Sequence, residues 1–174
     1  MWQPNLKELS FGDSDEDFEK LKLVFDLEGQ KDNNDHQRIV VLAELKTLRV
    51  SYLSNLRYVW KNVPQEIQGF QNLTSINILD CHKLRYLFPP TVAKLLVELQ
   101  SIEIGWCDMI ENIVQRDGEE EVEDIILFPK LTSFDLRSLP NLMSFYIEPY
   151  SFERSSIEKI DMYECPKFKT YGKL

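Results

Sequence analysis

Apolar residues recur along this chain on a fixed template. In the segment LTSINILDCHKLRYLF, which begins at Leu73, they stand at offsets of 3, 5, 8, 11 and 14 from the first leucine. The template has five full copies, and all 30 of its positions are apolar, whereas a 43% hydrophobic composition would give about 13 by chance. With a degenerate first copy, the sequence predicts six repeats that start near residues 6, 45, 73, 99, 131 and 157.

The offsets within one repeat predict the path of the chain. Positions 3 and 5 are two residues apart, the period of one face of a β-strand, so each repeat is expected to contribute a short strand with its apolar side chains inward. Offsets 8, 11 and 14 step by three and predict a corner, then a return along a second, convex side. On that side, Pro90 is followed at helical spacing by Val92, Leu95, Leu96 and Leu99, which predicts a short helix.

A lone repeat cannot bury its own apolar face, so the repeats must stack. The predicted fold is an α/β solenoid that forms a single domain over residues 1–174, with a curved parallel β-sheet on the concave face and short helices and loops on the convex face. Three segments interrupt the template and are predicted to be surface insertions: Asp13–Glu19, Asp26–Arg38 and Asp117–Asp124. The first and the last are strongly acidic.

Composition narrows the class of partner. The chain has 20 basic and 29 acidic residues, and its net charge of −9 opposes non-specific attraction to nucleic acid and to anionic lipid. There is no apolar run long enough to cross a membrane, and the first residues, MWQP, lack the pattern of a secretion signal, so membrane insertion is not expected. The 3 cysteines are too few for a disulfide framework and suit a reducing compartment, which predicts a cytoplasmic protein.

The repeat units also resemble a known family. The form LxxIxIxxCxxLxxLF and the phrases CHKLRYLFPPTVAKLLVELQSIEI and LFPKLTSFDLRSLPNL are similar to the leucine-rich repeat region of plant nucleotide-binding disease-resistance proteins of the coiled-coil class. The resemblance runs from Leu6 to Tyr171. It implies an intracellular immune receptor whose repeats sense a pathogen effector, or a guarded host protein that the effector has altered. It also implies that the repeats restrain the nucleotide-binding module of the same receptor.

One part of that family's pattern is missing from this chain. The 6 glycines are scattered singly, so no G-x-x-x-x-G-K-[ST] loop is present to cradle nucleotide phosphates. The sequence also begins directly on a repeat, without the polar capping unit that a free-standing solenoid needs. We therefore expect a fragment or a truncated member of a larger receptor, without a bound cofactor.

The three cysteines occupy one template position, at offset 8. Leu53 and Leu139 fill the same position in other repeats, which favours packing because a free cysteine behaves as a small buried hydrophobe. A zinc site that includes His82 is the alternative, but cysteines 26 residues apart do not match the spacing of zinc-finger ligands. The sequence predicts buried thiols and no metal site at Cys81, Cys107 and Cys165.

Other chemistry finds little support in the sequence. The aspartates of segment 13–17 match the first ligand positions of a calcium-binding EF-hand loop, but Phe18 and Val24 stand where that loop requires glycine and glutamate. The only histidines are His36 and His82, and no nucleophile elbow, H-E-x-x-H or Cys–His signature accompanies them. We therefore predict no catalytic residues and a protein that is not an enzyme.

The outward residues of the predicted strands form the candidate functional surface. They are expected to stack into ladders, each with one residue from each repeat. The first ladder holds Ser10, Arg49, Asn77, Glu103, Asp135 and Asp161; the second holds Ser51, Leu79, Gly105, Arg137 and Tyr163; the third holds Tyr52, Asp80, Trp106, Ser138 and Glu164.

Trp106 is the strongest candidate on this surface, because Trp, Tyr and Arg are enriched among the residues that dominate binding energy. The predicted protein-binding site consists of Arg49, Tyr52, Leu79, Asp80, Glu103, Trp106, Asp135, Arg137 and Tyr163. The competing interpretation is that Trp106 covers an edge of the solenoid or packs under an insertion.

The sequence thus favours a non-catalytic protein-recognition and autoregulatory module. One alternative is a leucine-rich repeat adaptor that presents substrates to a ubiquitin ligase, although the F-box helix of such adaptors is missing from this chain. The other is an enzyme or a metal-binding protein built on the repeat scaffold, which metal analysis of the purified chain would test.

Overall fold

The computed structural model describes residues 6–12, 20–27, 40–115, 128–144 and 157–169. The two acidic segments, 13–19 and 117–124, lie outside the described residues. So do His36 and most of the insertion at 26–38, together with Phe18 and the template positions Phe145 and Tyr171. The predictions for those residues therefore stay predictions.

Twelve short strands and one short helix form the described chain. In chain order they are β1 (Glu8–Phe11), β2 (Leu23–Asp26), β3 (Val40–Val41), β4 (Thr47–Ser51), β5 (Tyr58–Lys61), β6 (Gln68–Gly69), β7 (Ser75–Leu79), β8 (Tyr86–Phe88), α1 (Pro90–Ala93), β9 (Ser101–Gly105), β10 (Asn112–Val114), β11 (Ser133–Arg137) and β12 (Lys159–Tyr163). All the strand pairs are parallel.

One strand from each repeat joins a six-stranded parallel sheet in the order β1-β4-β7-β9-β11-β12. Its register follows the template, because the offset-3 residues stand opposite one another in neighbouring strands: Leu9 pairs with Leu48, Leu48 with Ile76, and Ile76 with Ile102. Phe134 and Ile160 continue the row. The stack of parallel strands confirms the predicted solenoid, and the outward surface of this sheet is called the sheet face below.

A second set of strands returns on the other side of the core. The offset-14 residues Val59, Leu87 and Ile113 are buried there in β5, β8 and β10. In the two-stranded sheets on this side, β2 pairs with β5 and β8 pairs with β10. The predicted helix after Pro90 is present but short, because α1 ends at Ala93. The convex side therefore contains more strand than predicted, and Asp26 belongs to β2 rather than to an insertion.

Each sheet strand ends in a residue with a left-handed backbone. Five of these residues share offset 7: Tyr52, Asp80, Trp106, Ser138 and Glu164, with φ between 49° and 57°. The backbone N–H of Tyr52 donates to the carbonyl of Leu79, and that of Trp106 donates to the carbonyl of Arg137. The third predicted ladder therefore lies one residue past the strands, at the corner, and we call it the corner ladder.

The first repeat makes the same corner with a glycine. Gly12 has a φ of 97°, and a Cβ atom added to it would lie 1.6 Å from the carbonyl oxygen of Ser51 in the next strand. Only glycine fits this close approach of two backbones.

A single hydrophobic cluster runs between the two sets of strands. It contains the sheet residues Ile78 and Ile104, both fully buried, and an aromatic group formed by Phe25, Trp60 and Phe70. Burial of template positions from every interior repeat supplies the main driving force for stacking. In the described ranges, no helix has the length and apolar character that a membrane crossing requires.

Candidate functional site

The first two predicted ladders lie on the sheet face in the predicted register. Arg49 stands opposite Ser10 on one side and Asn77 on the other. Glu103 and Asp135 continue the first ladder, and Gly105 and Arg137 are neighbours in the second. Since adjacent parallel strands lie about 4.8 Å apart, side chains in one ladder touch their neighbours. The structure therefore brings the predicted residues of the sheet face together, although it does not test that they bind a protein.

A polar network joins three repeats at the centre of the sheet face. Asn77 Nδ2 donates a hydrogen bond of 2.5 Å to Glu103 Oε2. Arg137 pairs with Glu103 at 3.7 Å and donates a hydrogen bond to Asp135. The hydrogen bond with Asp135, together with the charge of that carboxylate, raises the pKa of Arg137. The side chains of this network are thus held in one arrangement before a partner arrives.

Asp135 is unusual for an outward position, because only 9% of it is exposed. Its Oδ2 atom accepts the hydrogen bond from Arg137, whereas Oδ1 has no hydrogen-bond donor among the described residues. An unsatisfied buried oxygen costs about 1–3 kcal/mol. Folding alone does not favour this arrangement.

The basic side chains elsewhere on the sheet face are also paired. Arg49 forms an ion pair with Glu8 in the neighbouring strand. Lys159 pairs with Asp161 at 2.8 Å, and this hydrogen bond raises the pKa of Lys159. The first ladder ends in three successive carboxylates, Glu103, Asp135 and Asp161, so the face becomes more acidic toward β12.

Large aromatic side chains border this polar network. The exposed fraction is 63% for Tyr52, 41% for Trp106 and 66% for Tyr163. Between them, Gly105 leaves a shallow gap on the sheet face, and a Cβ atom placed there would lie 3.2 Å from Leu79 Cδ2. The surface therefore combines apolar contact area with the fixed polar groups of the network.

The aromatic residues at the corner do little for folding. Left-handed backbone costs roughly 1–2 kcal/mol for residues other than glycine and is especially unfavourable for bulky ones. Tyr52 and Trp106 adopt it with φ of 57° and 52°, and both remain exposed. Two bulky side chains at strained, exposed positions point to a role in binding rather than in packing. The exposure of Trp106 also argues against its packing under the described segments.

The cysteines follow the packing prediction in two of three cases. Cys81 and Cys107 are fully buried, and the Sγ atoms lie 3.4 Å and 3.3 Å from the carbonyl oxygens of Leu79 and Gly105. The neighbouring Cys81 side chain raises the pKa of Cys107, and burial raises it further. Cys165 is only partly buried, which corrects that part of the prediction. It lies in the last described repeat, where no further described repeat covers it.

No metal-binding arrangement is present among the described residues. They contain no group of three or more His, Cys, Asp or Glu side chains that could hold an ion. His82 Nδ1 instead lies 3.1 Å from Asp108 Oδ2 in the next repeat, and both side chains are well exposed. The geometry of the sheet face suits recognition of another macromolecule by shape, apolar contact and hydrogen bonding.

Sequence reasoning missed part of the sheet face and a second surface. Glu8 and Ser101 point outward like the chosen residues but lie at offset 2, which was not considered. A groove on the opposite side, between Tyr58, Arg85 and Gln115, also escaped notice. Its signal was present, since basic residues recur at offset 12 of successive repeats.

Comparison with known proteins identifies the family. The family described as "Plant disease resistance protein RPS2-like, leucine-rich repeats" matches residues 4–108. The chain belongs to this family. The match confirms the resemblance seen in the sequence, and it agrees with the parallel solenoid.

Full-length relatives are much longer than this chain. Disease resistance protein UNI of Arabidopsis thaliana is 30% identical over 141 residues, which are 74% of this chain and 15% of the relative. Disease resistance protein SUMM2 of the same plant is 29% identical over 129 residues, 74% of this chain and 13% of the relative. The chain thus spans a small part of the proteins that it resembles. No solved structure matches it.

Proposed function

We propose that this chain is the protein-recognition and autoregulatory module of an intracellular plant immune receptor. In this proposal residues 1–174 are one repeat domain of a larger cytoplasmic protein, and they sense a pathogen effector or a host protein that an effector has modified. Family membership supports the immune receptor. The choice of a sheet-face recognition site rests on the structure.

The observation that carries the proposal is the placement of exposed aromatic residues beside a fixed polar network. Interface energy is concentrated in a few aromatic and arginine residues that become desolvated. Trp106 and Arg137 adjoin directly, because the backbone N–H of Trp106 donates to the carbonyl of Arg137. Asp135 and Glu103 hold the guanidinium of Arg137 in place. We assign the centre of the partner interface to this pair of repeats.

Autoregulation requires a surface that contacts the nucleotide-binding module of the same receptor. We propose that an effector and this module favour different states of the receptor, so that binding of the effector shifts the equilibrium between them. The coupling then depends on which repeats each partner covers.

A screen of the purified chain against pathogen effectors and host proteins tests the proposal. The variants Trp106→Ala and Arg137→Ala are compared with Met143→Ala, which alters another exposed apolar side chain (45% exposed) away from the network. We expect a partner that the Met143 variant retains and the other two lose, while all three variants melt like the parent. Equal retention by every variant would reject the sheet face as the recognition site.

A further inference from the structure

Basic side chains are stacked on the side of the solenoid opposite the sheet face. Lys22, Arg57 and Arg85 share template offset 12 in the first three repeats, and all are exposed. Backbone hydrogen bonds fix the stack, since Arg57 N donates to Lys22 O at 3.0 Å and Arg85 N donates to Arg57 O at 3.4 Å. Glu111 occupies the next position, where its N–H donates to Arg85 O, and it ends the basic stretch. We call these three cations the basic ladder.

The basic ladder differs from the cations of the sheet face in its pairing. Arg49, Arg137 and Lys159 each have a carboxylate partner. No described carboxylate forms an ion pair with Lys22, Arg57 or Arg85. Like charges at the spacing of neighbouring strands repel one another, so stability alone favours alternation with acidic residues. A chain with a net charge of −9 has ample acidic residues for that purpose.

A groove of about 380 Å³ lies beside the basic ladder. Tyr58, Lys61, Arg85, Tyr86, Glu111, Asn112 and Gln115 line it. The rings of Tyr58 and Tyr86 are in tilted contact with centroids 5.6 Å apart, and Lys61 Nζ lies 6.0 Å from the centre of the Tyr58 ring. The groove thus offers cations at its edges, an aromatic floor, and side-chain amides that can donate or accept hydrogen bonds.

We propose that the basic ladder and its groove form a second binding site, which takes an acidic polypeptide segment of a partner protein. Carboxylates of the segment pair with Arg57 and Arg85, because a guanidinium presents a planar set of donors that matches a carboxylate. Its intervening residues lie against Tyr58 and Tyr86. The site is separate from the sheet face, so the module can hold two partners at once.

The size and charge of the site favour a polypeptide over other anions. The basic stretch spans three neighbouring strands and stops at Glu111, which gives it a length of roughly 10 Å at about 4.8 Å for each strand step. Nucleic acid and anionic membranes instead contact long or broad basic surfaces, and the net charge of the chain repels both. The amides of Asn112 and Gln115 suit directional hydrogen bonds to a peptide backbone.

Fluorescence anisotropy with a labelled peptide of repeated Glu-Tyr-Glu-Gly units tests the proposal. The full chain is compared with the double variant Arg57→Glu/Arg85→Glu, and a second peptide carries Gln in place of every Glu. The control variant Lys7→Glu/Lys46→Glu makes the same change in net charge at another stacked pair, in which Lys46 N donates to Lys7 O. A duplex oligonucleotide and phosphatidylserine vesicles serve as alternative anions.

We expect the Arg57/Arg85 variant to weaken binding of the acidic peptide by about tenfold or more, equivalent to ~1.4 kcal/mol, and the control to weaken it by less than about twofold. The glutamine peptide should bind weakly to every variant. Equal losses in both double variants, failure of the acidic peptide to bind, or equal binding of the glutamine peptide would each overturn the proposal. Tighter, Arg57/Arg85-dependent binding of the oligonucleotide or the vesicles would also overturn it. Thermal melting of both variants confirms that each is folded.

Discussion

At the scale of single residues, Ile78 shows how one template position holds adjacent repeats together. Its side chain is fully buried, and its register neighbours are Val50 on one side and Ile104 on the other. Removing most of such a side chain leaves a cavity that the flanking strands cannot close. The loss of contacts is therefore felt in three repeats at once.

Replacement of Ile78 by Ala should lower the free energy of unfolding by about 2–5 kcal/mol. Glu44→Ala, at an exposed position, should change it by less than about 0.5 kcal/mol. Denaturant titration of both variants measures the difference. Equal effects would show that Ile78 is not in the core.

The raised pKa of Cys107 predicts a pH dependence of stability. Below the ordinary thiol pKa of about 8.5, the thiol is protonated in both states and has no effect. Above it, the unfolded chain releases the proton while the folded chain retains it, so the free energy of unfolding falls by up to about 1.4 kcal/mol per pH unit for this group.

Titrations between about pH 8 and pH 10 should therefore show a shallower fall for Cys107→Ala than for the parent. Cys165→Ala is the control, because Cys165 is less buried and its pKa is also raised mainly by burial. The slope should change less in that variant. A slope that Cys107→Ala leaves unaltered would contradict this assignment.

Tyr52 separates stability from binding. Asparagine tolerates the left-handed backbone better than tyrosine, and the Tyr52 side chain is 63% exposed, so Tyr52→Asn should leave the free energy of unfolding unchanged or raise it by up to about 1 kcal/mol. Binding of a sheet-face partner should weaken in the same variant. A clear loss of stability in thermal melting would instead assign Tyr52 to packing.

At the scale of elements, the corner after each sheet strand sets the geometry of the candidate site. The strands and their register could be predicted, because a period of two residues and one fixed template determine which side chains face inward. The left-handed corner could not, since Tyr52, Asp80 and Trp106 share no residue type that signals it. The pairing of Arg137 with Asp135 also escaped prediction, because it depends on side-chain conformation within one strand.

The convex side was harder to predict for a related reason. Steps of three residues suit both a tight turn and a helix, and the short strands β5, β8 and β10 are recognised only through their partners. The helix after Pro90 was identified from proline at its first turn, but the helical spacing of Leu95 to Leu99 continues beyond the end of α1.

Gly12→Ala should detach β1 from β4. The added Cβ would collide with the carbonyl of Ser51, and φ would remain in the left-handed region, so we expect a loss of about 2 kcal/mol or more. Hydrogen exchange should show faster exchange at Leu9 and Phe11, while β7 and β9 keep their protection. Unchanged exchange in β1 would contradict the close backbone contact.

At the scale of the whole molecule, charge is divided between two surfaces. The sheet face carries paired cations and becomes acidic toward β12, whereas the opposite side carries the unpaired basic ladder in the first three repeats. This separation allows one small solenoid to contact two chemically different partners. It also distinguishes the sheet face from the acidic segments 13–19 and 117–124 as the source of affinity.

The most direct test of the account is the binding kinetics of a sheet-face partner at low and high salt. Trp106→Ala and Arg137→Ala should each weaken binding by about 2 kcal/mol or more, mainly through faster dissociation. Deletion of Glu119 to Glu123 should change mainly the association rate and its salt dependence, because exposed charges steer encounters. If both substitutions leave affinity intact while the deletion abolishes binding at every salt concentration, recognition lies in the acidic segment and the account is wrong.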